Sequence, residues 1–293
     1  MILVAGLTPA WQQIAVLDRL HVGEVNRARE VHCCASGKVL NVGLTLTQLG
    51  ASHRTLSLIG SGAAGTAMRQ DMSDLGVDVR WIESLARQRV CTTLLDRATG
   101  QTTEIVENSA AATDAELAAF ESAFAEEATS SNIDFVILTG SLPAGTSSDL
   151  YSRLLSRTRA PAILDVRGSE LLEALPHRPL VIKPNREELA HTVGRELNSH
   201  EEVWQAMSEV QARGAEWIVV TNGSREVFAL SENERHRFTP PTINVVNPIG
   251  CGDCFTAGLA CALQHGSDMP TAIRAGISAA ARNAEQLLPA RIG

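Results

Sequence analysis

The residues best suited to chemistry lie in one glycine-rich segment, Asn247–Phe255 (NPIGCGDCF). Gly250 and Gly252 permit a tight turn that leaves backbone N–H groups free at the start of an apolar helix, which predicts an anion-binding site. Asp253 stands beside these amides, where its carboxylate is able to take a proton from an attacking hydroxyl. The local pattern by itself favours the simpler interpretation that Asp253 caps the helix.

The elements that must position this segment alternate between strands and helices. Short apolar runs predict buried strands at Ile2–Gly6, Arg54–Ile59, Phe135–Leu138, Ala162–Val166, Leu180–Ile182, Ile218–Val220 and Ile243–Val246. Apolar periodicity and start and stop residues predict helices at Ser36–Leu49, Ala63–Leu75, Thr113–Ala128, Cys254–Gln264 and Met269–Leu288. This alternation predicts an α/β fold with a mostly parallel central sheet and helices on both faces. Ligands bind such sheets beyond the carboxyl ends of the strands.

Two stretches lack a helical period and have short alternating segments instead, Ile14–His32 and Arg89–Val106. In the second, Val90–Asp96 and Gln101–Val106 flank a Thr-Gly turn, which predicts a hairpin. We therefore expect a small β-sheet lid built from about residues 10–33 and 87–108. With no repeat or low-complexity linker, the lid and the α/β core are expected to form a single domain over residues 1–293.

Composition argues against several classes of function. The chain has 25 Lys and Arg against 33 Asp and Glu and no block of like charge, which argues against nucleic-acid and acidic-membrane partners. No run approaches the ~20 apolar residues of a membrane span, and no signal-peptide pattern is present, so a cytoplasmic protein is expected. Its six cysteines are then expected to be reduced. The Cys33-Cys34 pair and the C-x-x-C pattern Cys251–Cys254 are interpreted as small, partly buried side chains, because no second well-spaced pair with His follows.

Seven segments, in order, resemble the ribokinase-like (PfkB) carbohydrate kinase family, from Met1 to about Asn283. The likeness is to the branch that phosphorylates sugar phosphates, such as 1-phosphofructokinase and tagatose-6-phosphate kinase. The segments are Gly23–Arg27 (GEVNR), Ser36–Asn41 (SGKVLN), Thr103–Glu107 (TEIVE), Gly140–Gly145 (GSLPAG), Lys183–Leu189 (KPNREEL), Pro240-Pro241 and Gly250–Asp253 (GCGD). The resemblance implies a ribokinase-like fold, ATP with Mg²⁺ as the phosphoryl donor, and a sugar bound under the lid.

The resemblance also implies roles for particular residues. Asp253 would be the catalytic base, and an anion hole for the transferred phosphoryl group would be formed by the amides of Gly250, Cys251 and Gly252. Asn185 and Glu188 would order Mg²⁺ through its waters; the alternative is a helix cap with a solvated first-turn Glu. The other nucleotide-binding positions would be Lys183, Thr221, Gly223 and Asn283, the last of them near adenine.

For the acceptor, the matched positions are Gln12, Arg27, Gly37, Lys38, Asn41, Arg89 and Ser141. Lys38 at a helix start, together with Arg27 and Arg89 on the lid, predicts a cationic pocket for a phosphate already on the sugar. Ordinary exposure of the two arginines on an edge sheet remains the alternative.

The sequence departs from the family pattern around this acceptor site. Thr8 and Gln12 replace an Asn and an Asp of the opening element, and Gln12 keeps hydrogen-bonding capacity without the charge. Val39 stands where Gly is usual, and the residues from Asn247 to Ile249 replace a Thr-Val type, so a hydroxyl is missing near the phosphates. The sugar identity therefore stays open.

The leading hypothesis is an ATP-dependent kinase that converts fructose 1-phosphate to fructose 1,6-bisphosphate, with Asp253 activating the 6-hydroxyl. The altered Gln12 site keeps open a kinase of an unphosphorylated sugar or nucleoside. A non-catalytic sugar-phosphate or nucleotide sensor is the third hypothesis. The expected partners are a small-molecule sugar phosphate and ATP, with a homodimer through the lid because exposed sheet edges pair readily.

Overall fold

The computed structural model of the protein describes residues 1–130 and 132–293. The strands in these ranges are β1 Ile2–Gly6, β2 Ala10–Leu17, β3 Glu30–Ser36, β4 His53–Ser61, β5 Val79–Arg87, β6 Val90–Asp96, β7 Thr102–Ile105, β8 Phe135–Thr139, β9 Ala162–Asp165, β10 Val181–Ile182, β11 Trp217–Val220, β12 Val227–Leu230 and β13 Arg235–Phe238. The helices there are α1 Lys38–Gln48, α2 Ala63–Asp74, α3 Asp114–Ala128, α4 Leu150–Leu155, α5 Gly168–Ala174, α6 Arg186–Val193, α7 His200–Gln211, α8 Cys251–Gln264 and α9 Met269–Ala284, with a 3₁₀ turn at Leu175–His177.

The central sheet has the strand order β13-β12-β11-β10-β9-β8-β1-β4-β5. Its strands are parallel from β11 to β5, and β12 and β13 add an antiparallel edge. In β1, Leu3 belongs to the buried cluster that includes residues of α3 to α7 on one face, and Val4 belongs to the cluster that includes residues of α1, α2, α8 and α9 on the other. Burial on both faces explains the continuous apolar runs. The predicted α/β fold with a mostly parallel, doubly covered sheet is confirmed.

A second, four-stranded sheet has the order β3-β2-β6-β7. The β6–β7 hairpin confirms the one predicted around the Thr-Gly turn, while β2 and β6 run parallel and join the two insertions. Strand β3 extends to Ser36, a little beyond the expected limit of the first insertion. The inner face of this sheet buries Ile14, Val16 and Leu95, against which Leu287 and Leu288 pack.

Polar residues follow the strands at one edge of the central sheet. Thr8, Gly140 and Asp165 lie at or just beyond the ends of β1, β8 and β9, and Lys183 and Thr221 lie just beyond β10 and β11. Because these strands are parallel neighbours, their carboxyl ends meet at the same edge. Residues suited to binding and catalysis therefore lie together at the carboxyl ends of these strands.

The expected strand at Ile243–Val246 is wrong. This segment is irregular, and the backbone N–H groups of Val246 and Asn247 both donate to the carbonyl of Ala284 at the end of α9, at 2.8 and 3.1 Å. The side chains of Val245 and Val246 are 52% and 43% exposed, unlike those of a buried strand. The helix that follows begins at Cys251, three residues earlier than expected, so Asp253 lies in its first turn.

Two further findings bear on the expected class of protein. None of the helices in the part of the chain that the structure describes is both long and apolar enough to cross a lipid bilayer. All six cysteines are free thiols: Cys254 is buried, with its Sγ 3.2 Å from Thr45 Oγ1, and Cys251 lies 3.2 Å from Asn283 Nδ2.

Candidate active site

The glycine-rich segment forms a turn at the N-terminus of α8. Gly250 caps the helix with φ +85°, a left-handed conformation that favours glycine. The amide of Cys251 donates to the carbonyl of Pro248 at 3.3 Å, whereas the amides of Gly250 and Gly252 have no acceptor among the described residues. The predicted turn with free backbone N–H groups is therefore present, but one of the three N–H groups is already hydrogen-bonded within the chain. A position so rich in free amides suits an anion.

Asp253 lies beside this turn and is buried, with 7 % of its surface exposed. Its Oδ2 accepts a hydrogen bond of 2.7 Å from Asn41 Nδ2, and Asn41 Oδ1 accepts one of 3.1 Å from Ser36 Oγ. Its side chain makes no helix-capping hydrogen bond, which leaves its carboxylate to the site. Asn41, expected to bind the acceptor, has both ends on protein groups; we assign it the positioning of Asp253.

A buried ion cluster lies next to Asp253. Asp165, only 1 % exposed, accepts contacts from Lys38 Nζ at 2.8 Å and Lys183 Nζ at 3.2 Å, and Thr256 Oγ1 donates to it at 3.2 Å. Burial opposes ionisation of Asp165, but the two lysines outweigh it and lower its pKa. Burial and then the charge of Asp165 raise the pKa of Asp253 to about 6. Asp165 is therefore held in its charged form, whereas the carboxyl group of Asp253 binds a proton more readily than an ordinary aspartate.

Asp165 is the functional residue that sequence reasoning missed. The sequence does contain an indication of this residue. Asp165 is an acidic residue inside the apolar run Ala162–Val166, where burying an unpaired carboxylate would be costly. The partner is visible only from strand register: Leu164 pairs with Ile182, which puts Asp165 alongside Lys183 one residue further. A buried acid at the end of one strand and a lysine at the end of the next would have marked the site.

Lys38, predicted to bind a phosphate of the acceptor, lies in this ion cluster. Burial acts to lower its pKa, but Asp165, Glu188 and Asp253 outweigh that effect and raise it. Its ammonium is 2.8 Å from Asp165 and 3.7 Å from Glu188, so its charge is already compensated. Lys38 is therefore part of the ion cluster next to Asp253, and its side chain, 36% exposed, remains a predicted ligand of the acceptor phosphate.

The arginines expected to complete that pocket behave differently from each other. Arg27 is exposed in the connection between β2 and β3. Arg89 donates to the backbone carbonyls of Thr8 at 2.6 Å, Pro9 at 3.1 Å and Glu107 at 3.3 Å. It therefore links the segment that precedes β2 to the segment that follows β7. The convergence of Lys38, Arg27 and Arg89 on one phosphate stays a prediction.

The remaining acceptor positions surround the start of α1. Gly37 has φ +93°, and a Cβ there would lie about 3.0 Å from Pro9 Cα, so only glycine fits. Ser141 is exposed after β8, with its Oγ 3.3 Å from Thr8 Oγ1. Gln12, buried on the small sheet, donates from Nε2 to Thr93 Oγ1 at 2.6 Å.

Asn185 and Glu188 form a capping box at the start of α6. Asn185 Oδ1 accepts from the amide of Glu188 at 2.8 Å, and Glu188 Oε2 accepts from the amide of Asn185 at 2.9 Å. Glu188 Oε1 points instead toward Lys38 Nζ at 3.7 Å. The cap that was the alternative interpretation is real, and one carboxylate oxygen still faces the ion cluster.

The donors at this edge suit a hard cation held through water. Within residues 1–130 and 132–293, no group of three His, Cys, Asp or Glu side chains is arranged to hold a metal ion directly. Two lysines face three carboxylates in the cluster, so one negative charge is in excess when all are ionised. Mg²⁺ keeps several waters and binds through few carboxylates, which fits such a site.

The other nucleotide positions lie on the loop after β11 and on α9. Thr221 bridges to Asn185 and accepts from the amide of Arg186 at 2.9 Å, which puts the Thr221–Gly223 loop beside the capping box. Asn283 is fully buried: its Nδ2 donates to the carbonyl of Ile249 at 2.9 Å and its Oδ1 accepts from the amide of Ala290 at 2.6 Å. The Asn283 side chain therefore supports the glycine-rich turn, and its position near adenine stays a prediction.

Comparison with known proteins agrees with this site and fold. Residues 1–289 match the model of the pfkB family carbohydrate kinases. Phosphofructokinase-2 from Escherichia coli, in complex with fructose-6-phosphate, superposes with a TM-score of 0.89 at 23% identity, over 99% of this chain and 96% of that one. A protein from Thermotoga maritima named possible 1-phosphofructokinase gives 0.89 at 17%, over 98% and 93%. Arabidopsis thaliana ribokinase, complexed with ribose and ATP, gives 0.76 at 21%, over 99% and 94%.

The chain therefore belongs to the pfkB family of carbohydrate kinases. The solved structures, all below 25% identity, establish a ribokinase-like fold. The predicted family and enzyme class are confirmed.

The raised pKa of Asp253 predicts a pH-dependent stability. A carboxyl whose folded pKa, about 6, exceeds its ordinary value of 3.8 stabilises the fold at low pH, and that stabilisation is lost as pH rises through 6. Asp253→Asn removes the cost of keeping a charged carboxylate buried. At pH 8 we therefore expect the free energy of unfolding of this variant, measured by urea titration, to exceed that of wild type by about 1–3 kcal/mol. The advantage should shrink toward pH 5.

The control for this prediction is Asp134→Asn. The N-terminal ammonium lowers the pKa of exposed Asp134, so its loss should not stabilise the protein at pH 8. An Asp253→Asn variant less stable than wild type at pH 8 would contradict the electrostatic account of the cluster.

Proposed function

We propose that this carbohydrate kinase transfers the γ-phosphoryl group of ATP to a hydroxyl of a sugar phosphate, with fructose 1-phosphate as acceptor and fructose 1,6-bisphosphate as product. The observation that carries the proposal is the juxtaposition of a proton-accepting Asp253 with free amides at the start of α8. Phosphoryl transfer needs little else from a protein than positioning and charge stabilisation.

In the proposed reaction Asp253 takes the proton of the attacking hydroxyl. Asn41 holds its Oδ2 in place, and a pKa of about 6 leaves the carboxylate ionised at neutral pH yet basic enough to accept a proton. The amides of Gly250 and Gly252 stabilise charge on the transferred group. Bound Mg²⁺ supplies further neutralisation of the phosphates, with Asn185 and Glu188 holding its waters.

The small sheet is the proposed lid over the acceptor. Gln12 lies on its inner face, beside the Thr8 and Gly37 region that surrounds the start of α1. Closure of such a lid excludes water and so suppresses hydrolysis of ATP.

A cavity beside Thr8 favours a phosphorylated acceptor. Its volume is about 40 Å³, and its polar lining comprises Thr8, Ser84, Arg87, Gln88, Arg89 and Ser109. Arg87 forms no ion pair among the described residues, and Ser109 Oγ is buried there without a hydrogen-bond partner. A guanidinium and an unpaired hydroxyl in a small cavity match a phosphate oxygen cluster. Arg89, the arginine expected from the sequence, lines the same cavity but donates to the backbone carbonyls of Thr8, Pro9 and Glu107, so we propose Arg87 as the further phosphate ligand.

The acceptor is tested by a panel of sugars, sugar phosphates and nucleosides with coupled detection of ADP. We expect turnover of fructose 1-phosphate, a loss of kcat below pH 6 as Asp253 protonates, and a loss of about 10³-fold or more in Asp253→Asn with ATP binding retained. Turnover of an unphosphorylated sugar or nucleoside alone would replace this acceptor. Binding without any turnover would make the protein a sensor.

Arg87→Ala tests the phosphate end of the acceptor. Loss of a charge-assisted hydrogen bond should raise the KM for fructose 1-phosphate by about 10- to 100-fold and leave the KM for ATP within about twofold. The control is Arg97→Ala, an exposed arginine beyond β6. An unchanged KM for the acceptor would argue against this pocket.

The outer face of the lid supports a homodimer. Val31 and Ile105 are 52% and 59% exposed and share this face with Ala15 and Leu94, between two edge strands without partners in the described chain. An apolar sheet face of this kind marks an interaction surface, and a second copy offers the matching face.

We expect a dimer by sedimentation velocity and dissociation in Val31→Asp/Ile105→Asp, because two buried carboxylates would face their symmetry mates. Leu85→Asp, on β5 outside this face, is the control and should remain dimeric. A monomeric wild type at micromolar concentration would contradict the proposed interface.

A further inference from the structure

The segment that follows α9, Glu285–Gly293, touches both the small sheet and the glycine-rich turn. We call it the strap. On one side, Leu287 and Leu288 pack against Ile14, Val16 and Leu95 on the inner face of the small sheet. On the other, a Cβ at Gly250 would lie 3.1 Å from Pro289 Cβ, so the turn rests directly on the strap. Few residues separate the two contacts.

Hydrogen bonds fasten the strap to the turn. Asn247 Nδ2 donates to the carbonyl of Leu287 at 2.8 Å. Asn283 accepts from the amide of Ala290 at 2.6 Å while its Nδ2 donates to Ile249 at 2.9 Å and to Cys251 Sγ at 3.2 Å. The residues on either side of Gly250 are therefore held to the strap by buried amides.

The far end of the strap is fixed to the core. Gly293 donates its amide to Gln48 Oε1 at 2.8 Å, and Ile292 is buried among α1 and its neighbours. Arg291 pairs with Asp71 at 3.3 Å, and Asp71 also accepts from the amide of Ala35 in β3 at 2.7 Å. The strap is therefore held at both ends, by the small sheet at Leu287 and Leu288 and by α1 and α2 at its far end.

The joint between these contacts is strained. Ala290 has φ +58°, one of two non-glycine residues with a left-handed backbone in the described chain, and it is fully buried. Such a conformation is unfavourable for a residue with a Cβ and persists where the surroundings enforce it. Here the surroundings are Asn283, Gln48 and Gly250.

We propose that Leu287 and Leu288 are positioning residues that couple the lid to the anion hole. When the small sheet seats on the two leucines, the strap presses Pro289 and Ala290 against the Gly250 turn and sets the directions of its free amides. Phosphoryl stabilisation is then complete only when the lid is closed. The inference rests on the proposed function for its kinetic consequence, but the coupling itself is a property of the fold.

The test compares Leu287→Ala/Leu288→Ala with a matched pair, Leu117→Ala/Leu172→Ala. The control leucines are also half-buried but pack in the core on the opposite face of the central sheet. We expect the strap pair to lower kcat with fructose 1-phosphate by about tenfold, with a smaller change in the KM for ATP, because displaced amides cost rate. The control pair should lose stability without this loss of kcat, and Leu287→Met/Leu288→Met should restore it.

A second readout needs no acceptor. Cys251 sits in the turn, so its alkylation by iodoacetamide reports opening of the turn, and exposed Cys33 serves as the internal reference by peptide mass mapping. We expect alkylation of Cys251 to accelerate about fivefold in the strap pair and also in Val16→Ala, which lies on the lid. The control pair should alkylate like wild type.

The outcomes separate the coupling from the proposed function. If wild type does not phosphorylate fructose 1-phosphate, the proposed acceptor is wrong, and the rates at Cys251 still decide the coupling. If Cys251 reacts equally in wild type, the strap pair and Val16→Ala, or if kcat of an active strap pair equals that of wild type, the coupling is overturned.

Discussion

The structure depends on one buried carboxylate, Asp165, held between Lys38 and Lys183 at the carboxyl edge of the central sheet. Removing three charges from water is costly, and it is tolerated only where geometry and hydrogen bonds are good. Parallel strands supply that geometry, because β9 and β10 end side by side. Burial raises the pKa of Asp253, and the charge of Asp165 raises it further. The proposed base is therefore tuned partly by the same carboxylate that organises the carboxyl ends of the strands.

The turn at Gly250 is the second half of this arrangement. The amides of Gly250 and Gly252, which have no acceptor among the described residues, lie at the start of the helix that carries Asp253 in its first turn, so hydrogen-bond donors and a proton acceptor stand close together. Neither half is rigid alone. Asn41 fixes Asp253, and Asn283 fixes the turn, so two buried amides convert a loop and a helix start into one site.

The sequence was sufficient for features carried by local patterns and insufficient for those carried by register. Apolar periodicity predicted the strands and helices, and glycine spacing predicted the turn beside Asp253, because both depend on neighbours in the chain. Asp165 was missed because its partners lie on other elements. The contacts of Arg89 with three backbone carbonyls were equally invisible in the sequence, because they depend on how the two insertions meet. The strand at Ile243–Val246 failed because a helix end takes its N–H groups.

Two departures from the family pattern have different physical consequences. Val39 is buried, and a Cβ at Gly6 would lie 2.9 Å from Val39 Cβ. The Val39 side chain therefore fits because the facing residue on β1, Gly6, has no side chain. That change stays within the core beneath α1. Gln12 instead lies on the inner face of the small sheet, with its Nε2 bonded to Thr93, so Oε1 is the group left for a ligand. A neutral acceptor atom stands there in place of the charged one of the family pattern, and a neutral oxygen accepts a weaker hydrogen bond from a hydroxyl than a carboxylate does.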